Sequence, residues 1–355
     1  MNFFLLFVTS LFSSLTLIFI VRKLFLRYKF LDNPVKYGLK RKPIPYSMGI
    51  IFFLNFILLS SFFIEPNFKL QLMLIFWCLI TCISFFDDFI EVNPKIRLFI
   101  QIIVGALIGL TSIKIGYISN IFWGVIDLSA SSFILYGVQI YTIPLVFTIC
   151  WYVLIFNALN WSDGIPGLTS GLSFLSFLVI FLLWVKLYLT DTYIWWVQNA
   201  EFIIKISLIL LWSLFVFWFF DVKQKFLMGD SGTMFLGFML ATLAIISGGK
   251  IATVVAVFGI YLVDAFYVIF RRLVNGKSPF HKDYTHLHHR LQKAGLQNSQ
   301  ILILVYTISF TFWLASLFLD RLGKIFVFFL LVFIVIFLNV FVDKIKGRVL
   351  TRSSK

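Results

Sequence analysis

The chain has 355 residues, of which 61% are hydrophobic, 19% aromatic and only 13% charged, with a formal net charge of +15 and a mean hydropathy of +1.00. So few polar residues cannot cover a water-soluble core, which excludes a soluble globular domain and leaves a polytopic membrane protein. The basic excess is accounted for by orientation across a bilayer and attraction to anionic lipid, and no nucleic-acid partner is expected.

The first apolar run, 2–20, has no positive residue before it and no small-residue cleavage site after it, so it reads as an uncleaved span. Eleven candidate spans follow from apolar runs of about 20 residues: 2–21, 47–64, 70–86, 97–113, 141–159, 168–189, 202–220, 232–248, 251–270, 300–318 and 324–342. The expected fold is all-α, a polytopic membrane bundle of about eleven transmembrane helices, with 1–355 as a single integral-membrane domain. Segment 114–140 is less apolar and carries Gly, Ser and β-branched residues, which predicts an external loop with some strand. Cys78, Cys82 and Cys150 lie within spans and read as small buried apolar residues.

Of the 30 Lys and Arg, 23 fall in segments 22–46, 87–97, 221–230, 271–299 and the tail from Asp343. The positive-inside rule places that face in the cytoplasm and the N-terminus outside. Asp32, Asp87, Asp88, Glu91, Asp163, Asp221, Asp230 and Asp283 land on the same face. Acids beside membrane spans are costly unless they bind something, so this clustering predicts one cytoplasmic-face site.

Four segments carry the chemistry. In "FFDDFIEVNPKIRLFIQ", Asp87 and Asp88 point about 100° apart on a helix, Glu91 shares the face of Asp87, and Asn93-Pro94 reads as a helix start. Lys95 and Arg97 put cations beside these acids, a set suited to a metal ion and an anionic substrate. In "NALNWSDGIPGLTSG", Asn157, Asn160 and Asp163 share one helical face and suit Mg²⁺ or a nucleotide. In "KFLMGDSGTMFLG", Asp230 sits where a helix begins, a place that favours phosphate and a divalent cation held against it. Each of the three also has a plainer reading, as a solvated loop or a capped helix end.

All four histidines of the chain fall within nine positions, in "HKDYTHLHHRL". His286, His288 and His289 could be zinc ligands, but no His-Glu-x-x-His signature or nearby Cys supports that. Arg271, Arg272, Lys277, Lys282 and Arg290 surround them, a setting that favours an anion such as a diphosphate or nucleotide. The Pro-flanked cations Lys36, Lys40, Arg41 and Lys42 form an ordered basic loop.

In order and placement these motifs resemble the polyprenyl-phosphate N-acetylhexosamine-1-phosphate transferases. "RRLVNGKSPFHKDYTHLHHRL" is nearest the WecA/TagO-like branch, and the similarity spans nearly the whole chain. The resemblance implies transfer of an N-acetylhexosamine-1-phosphate from a UDP-N-acetyl sugar to polyprenyl phosphate, releasing UMP, in the bacterial cytoplasmic membrane. It implies Mg²⁺ (or Mn²⁺) on Asp230, with Asn160 as a further ligand, and Asp87 acting on the lipid phosphate with Asp88 in support. It assigns the donor to Asn157, Asp163, Lys95, Arg272, His286, His288 and His289, and it makes a homodimer an expectation.

Three departures stand out. Pro166 replaces the second Asp of Asp-Gly-x-Asp-Gly, Leu227 replaces a frequent Phe three residues before Asp230, and Ile50 follows Gly49 where a Gly pair is usual. Two rivals remain at this point. One is a transporter or flippase for an anionic lipid-linked substrate, for which Asp264 is the main mid-span acid; the other is a zinc hydrolase.

Overall fold

The structure, a computed structural model, describes residues 3–37, 40–90, 92–120, 124–190, 194–247, 251–276, 285–319 and 321–353. The helices are α1 (Phe3–Arg27), α2 (Ile50–Phe63), α3 (Phe68–Ile90), α4 (Pro94–Gly109), α5 (Thr142–Ser162), α6 (Leu168–Thr190), α7 (Ile194–Asp221), α8 (Gly229–Ile246), α9 (Ile251–Val274), α10 (Leu287–Lys293), α11 (Asn298–Phe318) and α12 (Arg321–Ser353). Every expected span is a helix, and α10 is the short addition. Among the described residues, eight helices are long and apolar enough to cross a membrane. At 14 and 16 residues, α2 and α4 reach only about 21 and 24 Å at ~1.5 Å per residue.

Segment 114–140 forms two antiparallel hairpins. β1 (Tyr117–Ser119) pairs with β2 (Val125–Asp127), and β3 (Ser132–Leu135) with β4 (Val138–Tyr141). The expected strand is therefore present.

Local chemistry sets the helix starts. Asn93 Oδ1 accepts the Lys95 N–H at 3.0 Å and Pro94 follows it, as its sequence predicts. A reciprocal Gln297–Gln300 box opens α11. By contrast, α8 has no cap of its own among its neighbours in sequence.

Helix α8 is buried nearly all round and packs against α2, α3 and α5, while α7 packs against α1 and α6. A helix apolar on every face belongs in the middle of a bundle. One contiguous core runs from Leu6 to Val342. Where polar side chains enter it they meet one another: Asn55 of α2 bonds Ser13, Ser14 and Ser213, tying α1, α2 and α7 together.

The three cysteines correct an expectation. They are exposed on the outside of the bundle, with Cys78 and Cys82 Sγ atoms 3.9 Å apart. An apolar surround supplied by lipid favours the same residues as a protein core, so span location does not decide burial.

Candidate active site at the basic end of the bundle

Because the helices alternate in direction, the C-terminal ends of α3, α5 and α7 meet the N-terminal ends of α4, α6 and α8. Polar contacts join all six.

Asp87 and Asp88 close α3 and diverge as adjacent helical residues must. The Asp87 carboxylate accepts the Val92 N–H at 2.7 Å and pairs with Arg97 at 2.7 Å. The other arm of Arg97 lies 2.6 Å from Asp230. Asn160 then donates to the second Asp230 oxygen at 2.6 Å. An unbroken chain thus runs Asp87–Arg97–Asp230–Asn160 across α3, α4, α8 and α5. A guanidinium fork offers a separate nitrogen to each carboxylate, and among the described residues its buried Nε has no partner.

Asp88 does different work. Its two oxygens accept the Asp230 and Ser231 N–H groups at 2.7 and 3.2 Å, and the Ser47 hydroxyl at 2.6 Å. It is the missing cap of α8, supplied from another helix. Asp88, expected among the catalytic acids in support of Asp87, holds the backbone of Asp230 in place. Gly229, with φ +76°, permits this because a Cβ there would lie 2.7 Å from Asp88 Oδ2. The basic loop joins the same clamp: Met48 and Gly49 N–H donate to Leu227 and Met228 carbonyls at 3.0 and 2.8 Å. Asp32 and Arg41 pair at 2.5 Å to brace that loop.

Tyr46 is a residue the sequence reading missed. Burial, and the nearby Asp88 and Asp230 charges, push its hydroxyl far above the ordinary phenol range. Arg97 was recognised as a cation near the acids but Lys95 was favoured; in the structure Lys95 is exposed and Arg97 makes the contacts. A spacing rule could have separated them, since Arg97 lies at the fourth helical position of α4, turned toward α3 and α8.

Asn157 bonds Gln101 and the Val153 carbonyl, both at 2.7 Å, one turn above Asn160. Asp163 lies half-buried just past α5. Burial first, then the charges of Asp221, Asp230 and Asp88, hold its carboxyl well above the usual range. Asp221 accepts the Gly167 N–H and the Ser170 hydroxyl, at 3.1 and 2.6 Å, and so stabilises the turn that carries Asp163.

The histidines pack on that turn. A Cβ on Gly164 would meet His288 Nε2 at 2.1 Å. His288 is fully buried, and among the described residues neither ring nitrogen has a partner. Burial lowers it well below the ordinary imidazole range, and the neighbouring histidines add to the shift. His289 is lowered too, chiefly by burial, although Gln292 bonds it at 3.3 Å. His286 stacks on Trp161 with centroids 5.4 Å apart. Arg272 is buried in the last turn of α9.

Glu91, Lys277, His281, Lys282 and Asp283 lie outside the described residues. Leu227 is half-buried, and Phe226 packs inside against Phe217, so no ring stacks at the departed position.

Among the described residues no three His, Cys, Asp or Glu side chains converge as metal ligands. His286 Nδ1 is taken by Asp264, and His286 and His288 lie parallel, which does not suit zinc. The hard oxygens of Asp230 and Asn160 do suit Mg²⁺, which takes one or two protein ligands and completes its shell with water and phosphate. The mid-span acid Asp264, the motive for a transporter, is spent on backbone and imidazole contacts in the bundle. Beside Asp87 and Arg97 lies a small, mostly apolar cleft between α3, α4 and α8, walled by Ile80, Ile83, Ile100 and Met234.

A family model, glycosyl transferase family 4, matches residues 70–248. A probable undecaprenyl-phosphate N-acetylglucosaminyl 1-phosphate transferase of Bacillus subtilis (strain 168) is 25% identical over 97% of this chain and 92% of its own length. An undecaprenyl-phosphate alpha-N-acetylglucosaminyl 1-phosphate transferase of Yersinia pestis is 27% identical over 82% of this chain and 77% of its own. A decaprenyl-phosphate N-acetylglucosaminephosphotransferase of Mycobacterium leprae (strain TN) is 30% identical over 46% of this chain and 45% of its own. The family match holds every link of the Asp87–Asn160 chain, and the Bacillus match extends through most of the rest.

Proposed function

This chain belongs to glycosyl transferase family 4, and from that premise we propose that it moves N-acetylglucosamine-1-phosphate from a UDP-sugar to undecaprenyl phosphate, releasing UMP. The single observation that carries this is the ion-pair chain from Asp87 through Arg97 to Asp230, met by Asn160 at the ends of four helices. The matched relatives act on polyprenyl phosphates and N-acetylglucosamine 1-phosphate by name.

Phosphoryl transfer asks a protein for positioning and charge neutralisation more than for covalent chemistry. A lipid phosphate oxygen forms a bond to the β-phosphorus of the donor, and the bond from that phosphorus to the bridging oxygen breaks. UMP leaves with the bridging oxygen. Arg97 is the cation in reach of both carboxylates, so it exchanges a carboxylate for the incoming phosphate while Asp87 orients it. The apolar side chains beside Arg97, Ile80, Ile83 and Ile100 among them, would lie against the lipid chain next to its phosphate. Asp230 and the Asn160 amide oxygen would hold Mg²⁺, which neutralises the diphosphate when bound. Asp88 fixes the position of Asp230, and the Asp163 turn with His286, His288 and His289 receives the soluble donor. Arg272 adds charge on that side. The basic end faces the cytoplasm of a bacterial membrane, where UDP-sugars are available.

The test is direct. Purified protein given radiolabelled UDP-N-acetylglucosamine, undecaprenyl phosphate and Mg²⁺ should form a chloroform-soluble labelled lipid and an equal amount of UMP. A panel of UDP-sugars then identifies the donor. Label that stays in the aqueous phase with every donor would refute the reading.

A further inference from the structure

Asp264 takes no part in the mechanism above. It lies within α9 and is 0% exposed, a costly place for a carboxylate unless its oxygens are paired. Its partners come from two later segments. Leu287 N–H donates to both oxygens at 3.1 Å, His286 Nδ1 lies 3.0 Å from Oδ2, and Asn339 Nδ2 is 3.5 Å from Oδ1. Asn339 of α12 in turn accepts both ends of the Arg290 guanidinium, through its side-chain oxygen and its carbonyl. Three helices are therefore tied at the place where the histidine segment begins.

An imidazole whose Nδ1 faces a carboxylate carries a proton on that nitrogen, and its other nitrogen is left to act elsewhere. The His286 ring lies against Trp161, centroids 5.4 Å apart, and nearly parallel to His288, whose centroid is 6.2 Å away. His288 then reaches the turn after Asp163. The neighbouring rings Trp161, His286 and His288 so link the residue after Asn160 to the Asp163–Gly164 turn, and Asp264 holds the middle ring.

We propose that Asp264 is a positioning residue for donor binding, holding His286 by Nδ1 so that Nε2 is presented to the diphosphate of the UDP-sugar. This rests on the reading of the histidines as the grip on the soluble substrate. Asp264 touches neither substrate; it acts through His286.

Asp264→Asn keeps the shape and an acceptor but removes the charge. In the purified full chain it should raise KM for the UDP-sugar about tenfold while KM for undecaprenyl phosphate stays within about twofold. In a His286→Gln background the same substitution should add less than about twofold, because its route of action is already gone. The rise in Tm produced by UDP, read without turnover, should shrink in Asp264→Asn and in His286→Gln alike. Equal changes in both KM values, full additivity with His286→Gln, or an unchanged UDP shift would each overturn the proposal. If Asp264→Asn does not fold, Asp264→Glu, which keeps the charge but displaces the carboxylate by one methylene, should likewise raise KM for the UDP-sugar alone and add little in the His286→Gln background. A wild-type protein that is stabilised by UDP but forms no labelled lipid would refute the transfer reaction and leave the UDP test of Asp264 standing.

Discussion

The acid cluster and the histidine segment sit side by side yet are built in opposite ways. Around Asp87, Arg97, Asp230 and Asn160 the carboxylates are paired within the cluster or with backbone, and among the described residues the Arg97 Nε is the exception. In the histidine segment Asp264 and Asn339 carry the anchoring, and among the described residues the fully buried His288 ring has two unpartnered nitrogens. On the proposed reading, the first region breaks an internal ion pair to receive a ligand, while the second is preorganised with hydrogen-bonding capacity left over. Buried unpaired polar groups are costly, so their persistence marks a site shaped for something else. The difference suggests a division of labour, with the acids handling charge that changes during reaction and the imidazoles handling recognition.

The sharpest way to break that contrast is Asp230→Asn. Loss of the shared carboxylate should lower labelled-lipid formation at least about a thousandfold, since its effect falls on the transition state; measurable turnover near wild type would end the assignment. Arg97→Ala should follow at about a hundredfold, and Arg97→Lys should recover only part, because an ammonium cannot bridge two carboxylates as a fork does. Lys95→Ala, which removes an exposed cation two residues away, should stay within about twofold. A larger Lys95 effect than Arg97 effect would mean that the observed ion-pair chain is not the working one.

Two glycines sharpen the comparison at the next level. A Cβ at Gly164 would strike the His288 ring, whereas one at Gly49 would strike the Gly232 backbone at 2.2 Å. Gly164→Ala should therefore raise donor KM by about tenfold with little loss of folded protein. Gly49→Ala should destabilise by about 1–3 kcal/mol, read as a lower Tm, because backbone cannot yield as a side chain can.

The smallest effect concerns pH. His288 is held below its ordinary range by burial, so the unfolded chain binds more protons than the folded one as pH falls through about 6.5. Stability should then decline with falling pH, beginning near that value. His288→Gln should flatten the Tm profile between about pH 7 and 5, and an unaltered slope would show that the ring is not the titrating group.

The helix pattern was largely legible because a ~30 Å apolar layer demands long apolar runs, and each such run became a helix. The acids at 87, 88, 163 and 230 could be assigned to one face by counting charges along the chain. Their partners could not. Asp87 and Asp88 are neighbours with the same chemistry, yet one pairs with Arg97 and the other caps α8. That division depends on how α3 is rotated against α8, and rotation is set by packing. Tyr46 was missed for the same reason: it lies in a loop read for its cations, and only its pairing with the segment before α8 brings it to Asp88.

Asp264 shows the limit from the other side. Read along the chain it is a lone acid in an apolar span, which suggests transport. In three dimensions it is the fixed point of the histidine segment, because Leu287 and Asn339 arrive from 23 and 75 residues away. Composition and periodicity determined that this protein crosses a membrane many times and collects its charge at one end, since burial of backbone and exposure of charge are properties of each residue alone. Which carboxylate faces which cation was decided only by the packed bundle, because a hydrogen bond depends on a distance that no single segment contains.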